Sequence, residues 1–67
     1  MIDIVVNGET HRVPQGQTIL GLLGQLNLDP ARVAVELDRC IVKQPNWKET
    51  VLPPGAQLEI VQFVGGG

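Results

Sequence analysis

The sequence predicts a two-layer α+β domain: a mixed sheet of four or five strands with one helix packed across one face. Three observations predict it. Ile2, Ile4 and Val6 alternate with Asp3 and Val5, and that run stops at Asn7-Gly8. One stretch alone, Ile19, Leu22, Leu23 and Leu26, repeats its apolar residues at the helical spacing i, i+3, i+4, i+7. Two later runs, Val33 to Leu37 and Gln57 to Val64, alternate again. A single apolar helical stripe suits a helix that covers a sheet from one side.

Each element has a local cause. Asn7-Gly8 favours the tight type I′ hairpin turn, whose two central residues both need positive φ. The return strand runs from Glu9 to Val13, and Pro14 ends it because proline has no N–H for the ladder. Thr18 precedes the helical stripe, where its hydroxyl can accept from a free backbone amide. Gly21 and Gly24 weaken that helix and are expected to let it lie close on the sheet, a flat spot left for a partner being the alternative. Asn27, or the pair Asp29-Pro30, ends it. Asp38-Arg39 turns the third strand into a short return at Cys40 to Lys43. Pro45 to Glu49 reads as a loop with one helical turn, and Pro53-Pro54-Gly55 marks a turn before the last strand.

Bulk composition narrows the function. Sixty-seven residues make one small domain, read as residues 1–64 with a flexible glycine tail at 65–67. A net charge of −2 with scattered Lys and Arg argues against nucleic-acid binding. No apolar run approaches the length of a membrane span, and the N-terminus lacks the basic segment of a signal peptide. The single cysteine cannot form an internal disulfide, which fits a reducing cytoplasm. With one His, one Cys and no Tyr, the chain offers no convergent acid, base and nucleophile. The expected role is therefore a carrier, binding module or subunit rather than an enzyme.

The end of the sequence carries the chemistry. Gln62-Phe63-Val64 leads straight into Gly65-Gly66-Gly67. Ordering glycine costs more backbone entropy than ordering any other residue, so three in a row form a thin tether rather than part of a core. The tether bears one reactive group, the Gly67 carboxylate, and Gly65 and Gly66 can thread a narrow channel because they have no side chains. A carboxylate is a poor electrophile, and ATP-dependent adenylation is the obvious activation. If Leu58 and Ile60 face the core, Val61 and Phe63 face the other way. Either a bulge near Gln62 changes the register, or these apolar residues are exposed beside the tail and, with Val64, bind a partner. Cover by the loop 44–50 and its Trp47 is the competing expectation.

Other residues invite weaker readings. Cys40, beside one basic neighbour, is read as a small buried hydrophobe rather than a persulfide site. His11 stands without a second ligand at metal-binding spacing, so no metal is expected. Asp29, Glu36, Asp38 and Glu49 are read as solvated, with a lesser role in steering to basic partners. Trp47 is read as a lid on the core, with an interface anchor as the alternative.

Taken in order, these pieces resemble the ThiS family of sulfur carriers along essentially the whole chain. The resemblance rests on the opening strand with Asn7-Gly8-Glu9, on Thr18-Ile19-Leu20-Gly21-Leu22-Leu23 after Gly16, and on Val33-Ala34-Val35-Glu36-Leu37. It continues through Ile41-Val42 with Trp47, then Pro54-Gly55-Ala56-Gln57-Leu58-Glu59-Ile60-Val61, and ends at the glycines. It implies a ubiquitin-like β-grasp fold with the final strand central and paired to the first. It also implies that an adenylating enzyme of the ubiquitin-activating kind uses ATP to activate Gly67, with no cofactor held by the carrier itself. Sulfur from cysteine, delivered through a cysteine desulfurase, then gives a thiocarboxylate that thiazole synthase consumes for thiamine. If the last residue were trimmed, Gly66 would be the acceptor. Related carriers serve molybdopterin synthesis, tRNA thiolation or amino-acid sulfuration, and a non-covalent β-grasp adaptor is a further alternative. The free chain is expected to be monomeric.

Overall fold

The computed structural model describes residues 1–64. Strand β1 (Ile2–Val6) and strand β2 (Glu9–Val13) form the expected hairpin, with Asn7 at φ 50° and Gly8 at φ 84° between them. Helix α1 (Ile19–Gln25) follows, then strand β3 (Val33–Leu37), the short strand β4 (Cys40–Val42) and the final strand β5 (Gln57–Gln62). Short 3-10 turns at Pro30–Arg32 and Gln44–Asn46 fill two of the connections. The five strands lie in the order β2-β1-β5-β3-β4. β5 runs parallel to β1 and antiparallel to β3, so the last strand is central and the sheet is mixed.

The helix is short, and both of its ends are explained by sequence. Thr18 Oγ1 accepts from Gly21 N at 3.0 Å. At the other end Asn27 takes φ 58°, Asn27 N donates to Gly24 O and Leu28 N donates to Leu23 O. That pair of bonds is a Schellman closure with asparagine in the left-handed position usually held by glycine. Asn27 therefore ends the helix, while Asp29 Oδ1 caps the following turn at Ala31 N.

Ile19, Leu22 and Leu23 are buried against the sheet and Leu26 is half-buried, as the stripe requires. The expectation that the helical glycines permit close approach to the sheet is not met. Gly21 and Gly24 are both exposed on the outer side; a Cβ at Gly21 would meet the Gln17 side chain, and one at Gly24 would meet nothing within 4 Å. Gly24→Ala is thus expected to stabilise the domain by about 0.5–1 kcal/mol, because it restricts the unfolded chain without a clash. A higher urea midpoint at unchanged slope would show it.

The core lies between α1 and one face of the sheet, where Ile4, Val13, Val35 and Leu58 meet the helix stripe. Trp47 closes one end of it, 3% exposed, with its indole Nε1 donating to Val42 O at 2.7 Å. The lid reading of Trp47 holds. Cys40 is a correction: it is exposed, not buried. It follows directly on the Asp38-Arg39 turn, where both residues have positive φ, and it opens the edge strand β4.

Candidate functional site

The site is the end of β5 and the sheet face that α1 leaves open. Alternation along β5 sends Leu58 and Ile60 into the core and Gln57, Glu59 and Val61 outward. No bulge intervenes. The pairing with β3 is continuous from Leu37↔Leu58 to Val33↔Gln62. Val61 and Phe63 are therefore exposed, at 58% and 55%, and Val64 beyond them at 92%. Trp47 serves the core instead, so the competing expectation of cover by its loop is not met. The regular strand ends at Gln62, two residues before the sequence reading had it. Phe63 nevertheless keeps one tie to the sheet, its N–H donating to Arg32 O at 2.7 Å.

The outer face is graded along β5. Near its start Glu59 faces Glu36 directly across the β3–β5 pair, and neither carboxylate is in an ion pair among the described residues. Like charges placed opposite each other cost stability. Further along, Val61 pairs with Ala34, and Phe63 and Val64 follow. The face thus passes from acidic to apolar as the strand approaches the glycines. Ile41, paired with Glu36, adds an exposed apolar group on the same face.

Two polar side chains fix β5 in place, and sequence reasoning assigned neither this role. Asn7 Nδ2 donates to Ile60 O at 3.0 Å while Ile60 N donates to Asn7 Oδ1 at 2.8 Å. The amide thereby acts as one further residue of β1 after the backbone has turned away. Asp38, read as solvated, accepts from Gln57 N through Oδ1 at 3.0 Å, and its own N–H donates to Gln57 O at 2.7 Å. The Asn-Gly signal was legible as a turn; its second use needs the parallel β1–β5 pairing, which joins residues 53 apart.

Of the sequence-predicted site residues, the structure brings Val61, Phe63 and Val64 together at one end of the sheet. Gly65, Gly66 and Gly67 lie outside the described residues. Cys40 sits at the opposite end of β5, since Leu37 pairs with both Cys40 and Leu58. His11 lies on the edge strand β2 with its Nε2 3.8 Å from Glu9. Among the described residues no group of three His, Cys, Asp or Glu could hold a metal ion. No helix among them is long and apolar enough to cross a membrane.

One helix across a mixed sheet whose last strand is central defines a ubiquitin-like β-grasp domain. The chain belongs to the ThiS family, whose sequence profile matches residues 3–67. It superposes on the crystal structure of the thiamine biosynthesis protein ThiS from Geobacter metallireducens with a TM-score of 0.84 at 26% identity, over 98% of this chain and 100% of that one. It is 41% identical over 64 residues to a thiazole synthase from Magnetococcus marinus, covering 96% of this chain but 20% of that protein. It is 29% identical over 66 residues to the sulfur carrier protein ThiS of Escherichia coli, covering 98% of this chain and 100% of that protein. The chain thus spans about a fifth of the thiazole synthase it matches and the full length of the sulfur carrier.

Proposed function

We propose that the chain is a sulfur carrier for synthesis of the thiamine thiazole, with the Gly67 carboxylate as its working group. One observation carries this reading: the central strand β5 leaves the sheet flanked by exposed Val61 and Phe63 and points the sequence directly into Gly65-Gly66-Gly67. The scaffold does no chemistry on this view. It presents an acyl group and a docking face to enzymes that do.

A partner adenylating enzyme brings ATP. An oxygen of the Gly67 carboxylate attacks the α-phosphorus, pyrophosphate leaves, and a mixed anhydride with AMP results. A desulfurase moves the cysteine sulfur onto a partner thiol as a persulfide, whose outer sulfur attacks the carbonyl carbon and expels AMP to give an acyl disulfide. A second thiol then attacks the partner's sulfur, forms a disulfide with it and releases the acyl-bound sulfur. The product is a thiocarboxylate. Absence of Cβ at Gly67 leaves that carbon open to attack, and Gly65 and Gly66 thread the approach. Val61, Phe63 and Val64 contact the partner. The relatives named thiazole synthase hold the matching segment within the same polypeptide, which favours the thiazole pathway over molybdopterin, tRNA thiolation or amino-acid sulfuration. A cytoplasmic setting agrees with the single exposed thiol of Cys40.

Intact-mass analysis tests the proposal. With its cognate adenylating enzyme, ATP and a sulfur source, the chain is expected to gain the mass difference between one sulfur and one oxygen. Without ATP the mass stays constant. An unchanged mass in the complete mixture would refute the carrier reading and favour a non-covalent adaptor.

A further inference from the structure

We propose that the backbone edge of β5 at Gln62, on the side β1 leaves vacant, receives an extended segment of the adenylating partner by strand pairing. This rests on the carrier reading above and names the way that partner grips the chain.

Hydrogen bonds along β5 divide by parity. Asp38 N donates to Gln57 O, and Phe63 N donates to Arg32 O, so odd-numbered residues bond toward β3. Even-numbered residues bond toward β1: Val5 N donates to Ala56 O, Asn7 N to Leu58 O, and Asn7 Nδ2 to Ile60 O. Gln62 pairs with Val33 in the non-bonded kind of position, so its N–H and C=O both point to the β1 side. β1 no longer lies there. Its parallel register ends with Val5↔Gln57 and Val6↔Leu58, and the chain turns at Asn7-Gly8. The Asn7 amide extends the ladder by one residue and stops at Ile60. Among the described residues no strand is registered beside Gln62 on that side, and Gln62 is exposed.

A donor and an acceptor from one residue, side by side on an extended edge, match the C=O and N–H of another extended backbone. The edge is also held ready. Val33 pairs with Gln62, and Arg32 O anchors Phe63 N, so the strand stays straight through the open position. The location selects the occupant. Gln62 is five residues before Gly67, a span of about 17 Å when extended. An enzyme that holds the Gly67 carboxylate at its ATP site must run alongside this segment. Docking that buried the Gln62 groups without partners would be penalised, so the partner is expected to supply them.

Proline provides a selective test because the Gln62 N–H makes no bond to β3. Gln62→Pro deletes that N–H on an open edge, where proline is tolerated. Gln62→Ala controls for the side chain, and a semisynthetic chain with the Val61–Gln62 amide replaced by an ester removes the same N–H without a ring. Binding to the adenylating enzyme is measured by calorimetry, and the ATP-dependent mass gain is measured alongside. Gln62→Ala is expected to match the parent, while the proline and ester variants lose roughly 10- to 100-fold in affinity and remain folded at the assay temperature, the ester melting lower because its Val61 carbonyl, which faces β3, is a weaker acceptor. Ester-chain binding equal to that of the parent would overturn the proposal. So would edge-to-edge dimerisation of the parent that the ester abolishes, because it would assign the edge to a second copy. Absence of any mass gain in the parent would instead refute the carrier reading, which the binding comparison does not depend on.

Discussion

Deletion of Gly66 and Gly67 is expected to leave the melting temperature unchanged while abolishing the ATP-dependent mass gain. The domain gives a physical reason for the first half. Among the described residues the buried ones run from Ile4 to Ile60, and from Val61 through Val64 every side chain is exposed. The deletion leaves in place every residue that makes this core and the bonds that hold β5 to Asn7, Asp38 and Arg32, since these are formed by residues up to Phe63. The second half follows from chemistry. The shortened chain still ends in a glycine carboxylate, but that group stands two residues closer to the sheet, about 7 Å short of an active site built for the full reach. Since reaction requires atoms near van der Waals contact, a deficit of that size removes turnover rather than slowing it. Thermal melting and intact mass, measured on the same preparation, separate the two effects. A truncated chain that still gained mass would place the reactive group elsewhere.

The largest expected loss of stability comes from Trp47→Ala. The indole is almost fully buried at one end of the core and donates its N–H to Val42 O. The backbone of the same residue accepts from Leu20 N at 3.2 Å, which ties the loop to the first turn of the helix. Truncating a buried aromatic costs about 3–5 kcal/mol in lost contacts and residual cavity. A domain of this size has a total stability of roughly 3–10 kcal/mol. The variant is therefore expected to be largely unfolded near its former melting temperature and to be much weakened at 25 °C. Trp47→Phe retains most of the volume but leaves Val42 O without its donor, at a cost of about 1–3 kcal/mol. Far-UV circular dichroism in urea is the suitable measurement, because Trp47 is the only tryptophan and its fluorescence disappears with it. Equal midpoints for the parent and Trp47→Ala would contradict the lid role.

Most of the architecture was legible because local rules and tertiary contacts agree. The β1–β2 hairpin, the Thr18 cap, the helix stripe and the alternation of β3 each have a cause within a few residues of themselves. The exposure of Val61 and Phe63 followed from the same alternation once Leu58 and Ile60 were placed inside. What escaped depends on position in the sheet. Cys40 has the composition of a core residue, yet it begins an edge strand, and no local pattern says which strands lie at the edges. Gly21 and Gly24 suggested contact with the sheet, but the helical phase set by Ile19, Leu22 and Leu23 turns them toward solvent. Asn7 and Asp38 serve a strand 50 and 19 residues away in sequence respectively, counted to Gln57, and short-range signals contain no such information. The central place of β5 came from family resemblance; its residues alone fit an edge equally well.

That central place ties assembly of the domain to completion of its synthesis. A nascent chain that has reached only Ala56 can make just two of the native strand pairings, β1–β2 and β3–β4, which in the finished sheet are separated by the width of one strand. Nothing within either hairpin can bridge that gap, so cooperative collapse waits for Gln57 to Gln62 to emerge. Polypeptides cut short upstream of β5 are expected to remain open and vulnerable to proteolysis, so the population that survives is enriched in molecules that carry the complete central strand.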